Sequence, residues 1–169
     1  ATHRYGSHVL QAILASIQVA VAGGDSGVAA ASEDGVLRTL PELVIALYEE
    51  LELSMLELIT DAFASHVVRT MIALLAGVPI ASVDDLRSKR SAKYRSKERQ
   101  RAMVDDSMHA AGNGHVHVPE DFLQLLLRMY HHISTRLSTD QVHALMPSAT
   151  AAPTLSLLLR LEASLPYGK

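Results

Sequence analysis

The sequence predicts an all-α chain: an α-solenoid of helical repeats, cut from a longer curved superhelix and interrupted by two irregular insertions. Three observations point there. The hydrophobic 49% of the residues is mostly aliphatic, with two Phe, five Tyr and no Trp, which favours packed helices over a β-sandwich. Apolar residues recur mainly at spacings of three and four. And one phrase is written twice: THRYGSHVLQAIL, from Thr2, returns 58 positions later as TDAFASHVVRTMI, from Thr60. Internal repetition of helical units marks a solenoid, in which each unit buries its apolar face on its neighbours.

The first element runs from Ser7 to about Val21, with Val9, Leu10, Ile13, Leu14 and Ile17 as its apolar stripe and Ser7, His8 and Gln11 on another side. Residues 22–36, AGGDSGVAAASEDG and its neighbour, carry no periodicity and read as a low-complexity insertion. Pro41 suits the first turn of a helix, with Thr39 or Leu40 just outside it and Leu43, Val44, Leu47 and Leu51 recurring behind it. A short patch follows, Met55, Leu56, Leu58 and Ile59. The second copy then presents Phe63, Val67, Val68, Met71, Ile72 and Leu75 and ends at Gly77 and Pro79.

Residues 81–118 read as a charged insertion. Pro119, Glu120 and Asp121 open another helix, its acids placed at the positive end and Phe122, Leu125, Leu126, Met129 and Tyr130 turned inward. A shorter helix covers Thr139–Leu145, capped by Ser138 or Thr139. The last patterned stretch, AAPTLSLLLRL from Ala151, lies over the first copy so that Ala152, Pro153 and Ser156 stand where Ser7, His8 and Gln11 stand, and Leu155, Leu158 and Leu159 match Leu10, Ile13 and Leu14. With both insertions trimmed, the copies are spaced as two- or three-helix repeats are.

Charge is unevenly spread. Residues 87–101 hold Arg87, Lys89, Arg90, Lys93, Arg95, Lys97, Arg99 and Arg101 against Glu98, a balance of +7, so the rest of a chain of net charge −3 carries −10. A basic run inside an acidic scaffold is a phosphate contact, a localisation signal or a solvated face. The absence of Cys excludes disulfides and thiolate metal sites. His115 with His117 and His131 with His132 lack the partners a metal site needs, so no metal or cofactor is expected. The run from Val9 to Ala22 is interrupted by Gln11, Ser16 and Gln18 and falls short of a membrane span. No nucleophile elbow, phosphate loop or dinucleotide fingerprint occurs, so neither an enzyme nor a small-molecule substrate is expected. The chain opens at Ala1 inside a patterned segment and reads as a piece of something longer.

Residues i and i+4 of a helix stand side by side, with i+1 next to them. Ser7, His8 and Gln11, and again Ser65, His66 and Arg69, therefore offer two hydrogen-bonding groups and a ring, enough to grip the edge of a base and stack on it. YGSHVLQ and FASHVVR resemble the RNA-facing helix of Pumilio (PUF) repeats. Together with DAFASHVVRTMIALLAG and LRSKRSAKYRSKERQ they resemble the nucleolar Pumilio-like proteins of small-subunit ribosome assembly, the nucleolar protein nine family. The resemblance implies a C-shaped Pumilio-like solenoid in the nucleus and nucleolus. Its concave face would bind single-stranded precursor ribosomal RNA near the 3′ end of the small-subunit rRNA, alongside small-subunit assembly proteins. Under it, Ser7 and Gln11 contact a base edge as in an adenine-reading repeat and His8 stacks. Ser65 and Arg69 depart from the commonest pairings, with cytosine or the backbone as their target, and His66 stacks. Arg4 and the basic residues Arg87 to Lys97 would meet phosphate, while the copy at Ala152 and Pro153 is structural. The competing expectation is a HEAT- or armadillo-like protein-interaction scaffold, favoured by the acidic balance outside the basic run.

Overall fold

The computed structural model describes residues 1–23, 38–80 and 116–162, and among these every regular element is helical. In chain order they are α1 (Arg4–Ala22), α2 (Leu40–Glu52), α3 (Met55–Thr60), α4 (Ala64–Leu75), α5 (Glu120–Arg136), α6 (Thr139–Leu145) and α7 (Ala151–Glu162). Two units of the same plan follow α1. Each has a long helix, a short one and a 12-residue helix: α2, α3, α4 and then α5, α6, α7. The repeat is therefore three helices, the all-α solenoid expected.

Local chemistry sets the boundaries. Thr39 caps α2 in a reciprocal box: its hydroxyl accepts from the Glu42 N–H and the Glu42 carboxylate accepts from the Thr39 N–H. Ser138 and Gln141 repeat the device at α6. The 12-residue helices and α1 share another one. His3 Nδ1 accepts from the Gly6 N–H, Asp61 Oδ1 from the Phe63 and Ala64 N–H groups, and Ser148 Oγ from the Ala151 N–H. The carbonyls of the same three residues accept from the N–H of Ser7, Ser65 and Ala152. Those residues stand at one position of the repeat, so the third copy begins where the alignment at Ala152 and Pro153 places it.

The helices stack as α1 on α4 and α4 on α7, with α2 packed on α5 behind them and α3 and α5 also against α4. α4 has almost every residue buried. The burial pattern gives the direction of the stack. Met71 is buried, its counterpart in α1, Ile13, is 49% exposed, and its counterpart in α7, Leu158, is buried, so this side of α4 faces α1. Ile72 is buried, its counterpart in α1, Leu14, is buried, and Leu159 of α7 is exposed, so this side faces α7. The expected inward stripe of α1 is corrected accordingly. Leu10, Leu14 and Ile17 turn inward with Gln18, whereas Val9, at 58% exposure, and Ile13 lie on the outer side of the stack. Leu43 of α2 is likewise exposed and Val44 takes the core position.

α1 spans 19 residues and is long and apolar enough to cross a membrane by length and composition alone. The shorter apolar run misjudged this, because the helix begins at Arg4. In this fold α1 is a packing layer bolted in place by Gln18, whose amide donates to the Val78 carbonyl at 2.8 Å and accepts from the Ile80 N–H at 2.9 Å.

The chain leaves α4 through Gly77 and returns beside it. Val116 N–H donates to the Gly77 carbonyl at 2.8 Å, and Val118 is buried in the core. Residues 116–118 thus belong to the packed body rather than to the charged insertion expected over 81–118, and the helix preceding the first insertion keeps Ala22. Residues 24–37 and 81–115, including the basic run 87–101, lie outside the described residues.

Three carboxylates are held below their ordinary range. Asp61 accepts the N–H groups of Ala64 and Phe63, Glu42 the N–H and hydroxyl at Thr39, and Glu52 the Arg128 guanidinium. Depressed values mean that the folded chain prefers the ionised form, so their contribution is complete above the ordinary carboxylate range and lost as pH falls through the depressed values. The thermal midpoint, followed by circular dichroism, should hold from neutrality to about pH 5 and fall below about pH 4. Asp61→Asn should flatten part of that fall.

Candidate nucleic-acid interface

At 100° per residue, His8 and Gln11 occupy a flank of α1 turned away from both packing sides, and His66 and Arg69 the corresponding flank of α4. Because α1 lies on α4, the two flanks are neighbours. The six residues expected to face RNA are not equally available on them.

His8 is exposed and His66 half-buried. Both serines are buried, each 1% exposed. Ser7 Oγ donates to the Arg4 carbonyl at 2.8 Å, the local bond that short hydroxyls make to their own helix. Ser65 Oγ has no hydrogen-bond partner among the described residues. Gln11 is half-buried, and its Nε2 donates to the Ser7 carbonyl at 3.0 Å, which leaves its amide oxygen on the flank.

Arg69 departs most from a reading role. It is 5% exposed; Nη2 lies 2.6 Å from His66 Nδ1, and Nη1 donates to the Thr150 carbonyl at 3.4 Å. The Thr150 hydroxyl in turn donates to the Thr60 carbonyl and meets Ser148 Oγ. This network joins the start of α7 to the end of α3 and to the first half of α4. Thr150 was not foreseen as part of it; its place, equivalent to Tyr5 and Phe63, was the available signal. Arg4 is exposed at the start of α1, with its guanidinium 5.9 Å from the centre of the Tyr5 ring, which is itself 5.8 Å from the His3 ring. In α7, Ala152 and Pro153 occupy the same flank without a side-chain donor or acceptor.

Behind the stack, α2 and α5 are joined by charge. Arg128 donates through Nε and Nη2 to both oxygens of Glu52 at 3.1 and 2.6 Å, Tyr48 Oη donates to Glu52 Oε1 at 3.2 Å, and His132 Nδ1 stands 3.7 Å from the same oxygen. Burial, with Glu52 beside it, pushes the Tyr48 phenol well above its ordinary range. No group of three His, Asp or Glu among the described residues is arranged to hold a metal ion.

A stack of three-helix units with a histidine repeated on one flank of the first two repeat helices has the plan of a helical-repeat solenoid of the Pumilio type. Residues 1–169 match the model of the NOP9-like PUF repeat domain, and the chain belongs to that family. Similar proteins named Nucleolar protein 9 occur in Fusarium vanettenii, 27% identical over 176 residues that cover 99% of this chain and 23% of the relative. In Arthroderma gypseum the identity is 31% over 125 residues, covering 74% and 18%. In Phaeosphaeria nodorum it is 26% over 172 residues, covering 95% and 23%. The chain thus spans less than a quarter of the length of these relatives. No solved structure matches it.

Proposed function

We propose that the chain is a single-stranded RNA-binding element of ribosome assembly, holding precursor rRNA of the small subunit in the nucleolus together with other small-subunit assembly proteins. It acts by holding RNA rather than by chemistry upon it. The observation that carries this reading is the placement of His8 with Gln11 and of His66 with Arg69 on neighbouring flanks of stacked repeat helices. Membership of the PUF repeat family and the name shared by the relatives support it.

The roles divide more finely than the repeated phrase suggests. His8 and His66 are the rings on which bases stack, and the Gln11 amide oxygen meets a base edge. Ser7 and Ser65 are small, buried residues that let the backbone and the bases come close. The flank at Ala152 and Pro153 passes RNA without choice of base. Arg4 and the basic run, Arg87, Lys89, Arg90, Lys93, Arg95 and Lys97, supply phosphate contacts that add affinity without sequence.

The test is a binding titration of the full-length protein with single-stranded precursor rRNA. His8→Ala and Gln11→Ala should each weaken binding, the histidine by roughly 1–3 kcal/mol for one lost stack, about 5- to 150-fold. Affinity should fall linearly on a log–log plot as salt rises. Unchanged binding in both variants would end the base-contact reading. It would favour the protein-interaction scaffold, which the net −10 outside residues 87–101 supports.

A further inference from the structure

The three copies also differ at a position ahead of the Ser-His phrase. Three residues before the histidine stand Tyr5 in the first copy and Phe63 in the second, and three residues before Pro153 of the third stands Thr150. Both aromatic rings are exposed, Tyr5 at 70% and Phe63 at 38%, while Phe122, the other phenylalanine of the chain, is fully buried. One exposed aromatic residue needs no explanation. The same exposure at the same position of two repeats does. The ring and the histidine are present together in two copies and absent together from the third, although the third keeps its buried leucines Leu155, Leu157 and Leu158. A ring needed to pack the repeat would be expected in all three. A side chain three places before the histidine lies about 60° round the helix from it, and helical side chains lean towards the helix start, so ring and histidine are surface neighbours. Phe63 precedes α4 with near-helical backbone angles, φ −105° and ψ −43°, and shares this geometry.

The contact between Arg69 and Thr150 fixes where such a ring lies relative to the copy before it. Arg69 Nη1 donates to the Thr150 carbonyl, so the fourth residue after the serine in one copy meets, in the next, the residue at the ring position. Because α1 lies on α4 as α4 lies on α7, Phe63 stands at the junction of the first two repeats, between Gln11 and His66. We infer that Phe63 is a base-stacking residue at that junction and that Tyr5 is its counterpart in the first copy. The inference rests on the RNA-binding reading above and adds a second planar residue to each reading repeat. A phenyl ring has no donor or acceptor, so Phe63 offers only its face. It takes an unpaired base of any identity, while the Gln11 amide oxygen meets the edge. Tyr5 has the Arg4 guanidinium 5.9 Å from its ring centre and the His3 ring 5.8 Å away, a cluster of planar and cationic groups suited to single-stranded nucleic acid. Thr150 has no ring, and its hydroxyl donates to the Thr60 carbonyl, so the third copy offers no stack here, as at Ala152 and Pro153.

The test titrates a random-sequence single-stranded RNA oligonucleotide against the full-length protein and its Phe63→Leu, Tyr5→Leu and Phe63→Trp variants. Leucine keeps the apolar bulk and removes the ring face, so Phe63→Leu and Tyr5→Leu should each weaken binding by about 5-fold or more. In Phe63→Trp the indole fluorescence should be quenched as RNA binds, beyond any change in the parent protein, because a stacked base lies against it. That readout does not depend on how stable Phe63→Leu is. Unchanged affinity in Phe63→Leu, with or without a lower thermal midpoint, would make Phe63 a packing residue and overturn the inference. An indole that bound RNA leaves unquenched would overturn it too. No binding by the parent protein would sink the RNA reading and this inference with it, an outcome told apart from the other two because in those the parent binds.

Discussion

Replacing Gly77 by alanine is expected to cost about 3 kcal/mol or more, from backbone strain and overpacking together. Gly77 ends α4 at φ +65°, where an L-residue pays roughly 1–2 kcal/mol. It is the turning point of a Schellman motif: its N–H donates to the Leu74 carbonyl and the Val78 N–H to the Ala73 carbonyl. Backbone strain is only the smaller part. A Cβ at this position would stand 2.2 Å from the Val116 carbonyl oxygen and 3.2 Å from a methyl of Val118. One is backbone and the other part of the core, so neither yields as a flexible side chain would. Relief requires the returning chain to move away, which breaks the 2.8 Å bond from the Val116 N–H to the Gly77 carbonyl. It also loosens Val78, whose carbonyl receives Gln18 from α1. Denaturant unfolding should show a lower midpoint for Gly77→Ala. Gly6→Ala is the control: a Cβ there meets only the His3 side chain, at 3.7 Å and beyond, so it should be neutral or mildly stabilising, since alanine is the better helix former.

The cap and turn chemistry behind such effects was largely legible in the sequence. Pro41 behind Thr39, Ser138 before Thr139, and Gly77 before Pro79 each act through their own local geometry, and each lies where it was expected. What covers a face was harder to see. Val9 and Ile13 share the period of Leu10 and Leu14, and periodicity marks a residue as apolar without saying which neighbour lies against it. The common start of the three copies was hidden for a different reason. His3, Asp61 and Ser148 are unlike as residue types and alike only as acceptors of an N–H two or three residues on. Val116 and Val118 sit in a stretch whose charge and glycine content pointed to a loop, yet the Val116 N–H pairs with the Gly77 carbonyl and the Val118 side chain is buried in the core.

The candidate interface was legible as a list and less so as a set of roles. Spacing put Ser7 beside Gln11 and Ser65 beside Arg69, and that adjacency is real. Spacing does not say where a side chain of given length finds its partner. A serine hydroxyl reaches a carbonyl of its own helix, a glutamine amide reaches back one turn, and an arginine is long enough to reach the next repeat. The same helical position therefore supplies an open ring at His8, a constrained ring at His66 and, with Pro153, no polar group at all.

Ile72→Ala should destabilise the whole stack by about 2–5 kcal/mol, the usual cost of removing a large buried side chain whose site cannot collapse. Leu14→Ala, of similar burial and chemistry, should unfold much less of it. Both side chains are fully buried, so their transfer terms are alike and the contrast is one of position. In a repeat array stability is nearly a sum of unit stabilities and nearest-neighbour interfaces. Leu14 belongs to α1, which packs chiefly on α4, so the cavity weakens one interface and α1 can fray while the two following units stay folded. Ile72 lies on the side of α4 that faces α7, and α4 packs on α1, α3, α5 and α7, so its loss weakens the helix through which the units are coupled. Native-state hydrogen exchange separates the two outcomes. Leu14→Ala should lower protection in α1 and spare α5 and α7, while Ile72→Ala should lower it throughout. Equal and local losses in both variants would mean that α4 does not couple the units.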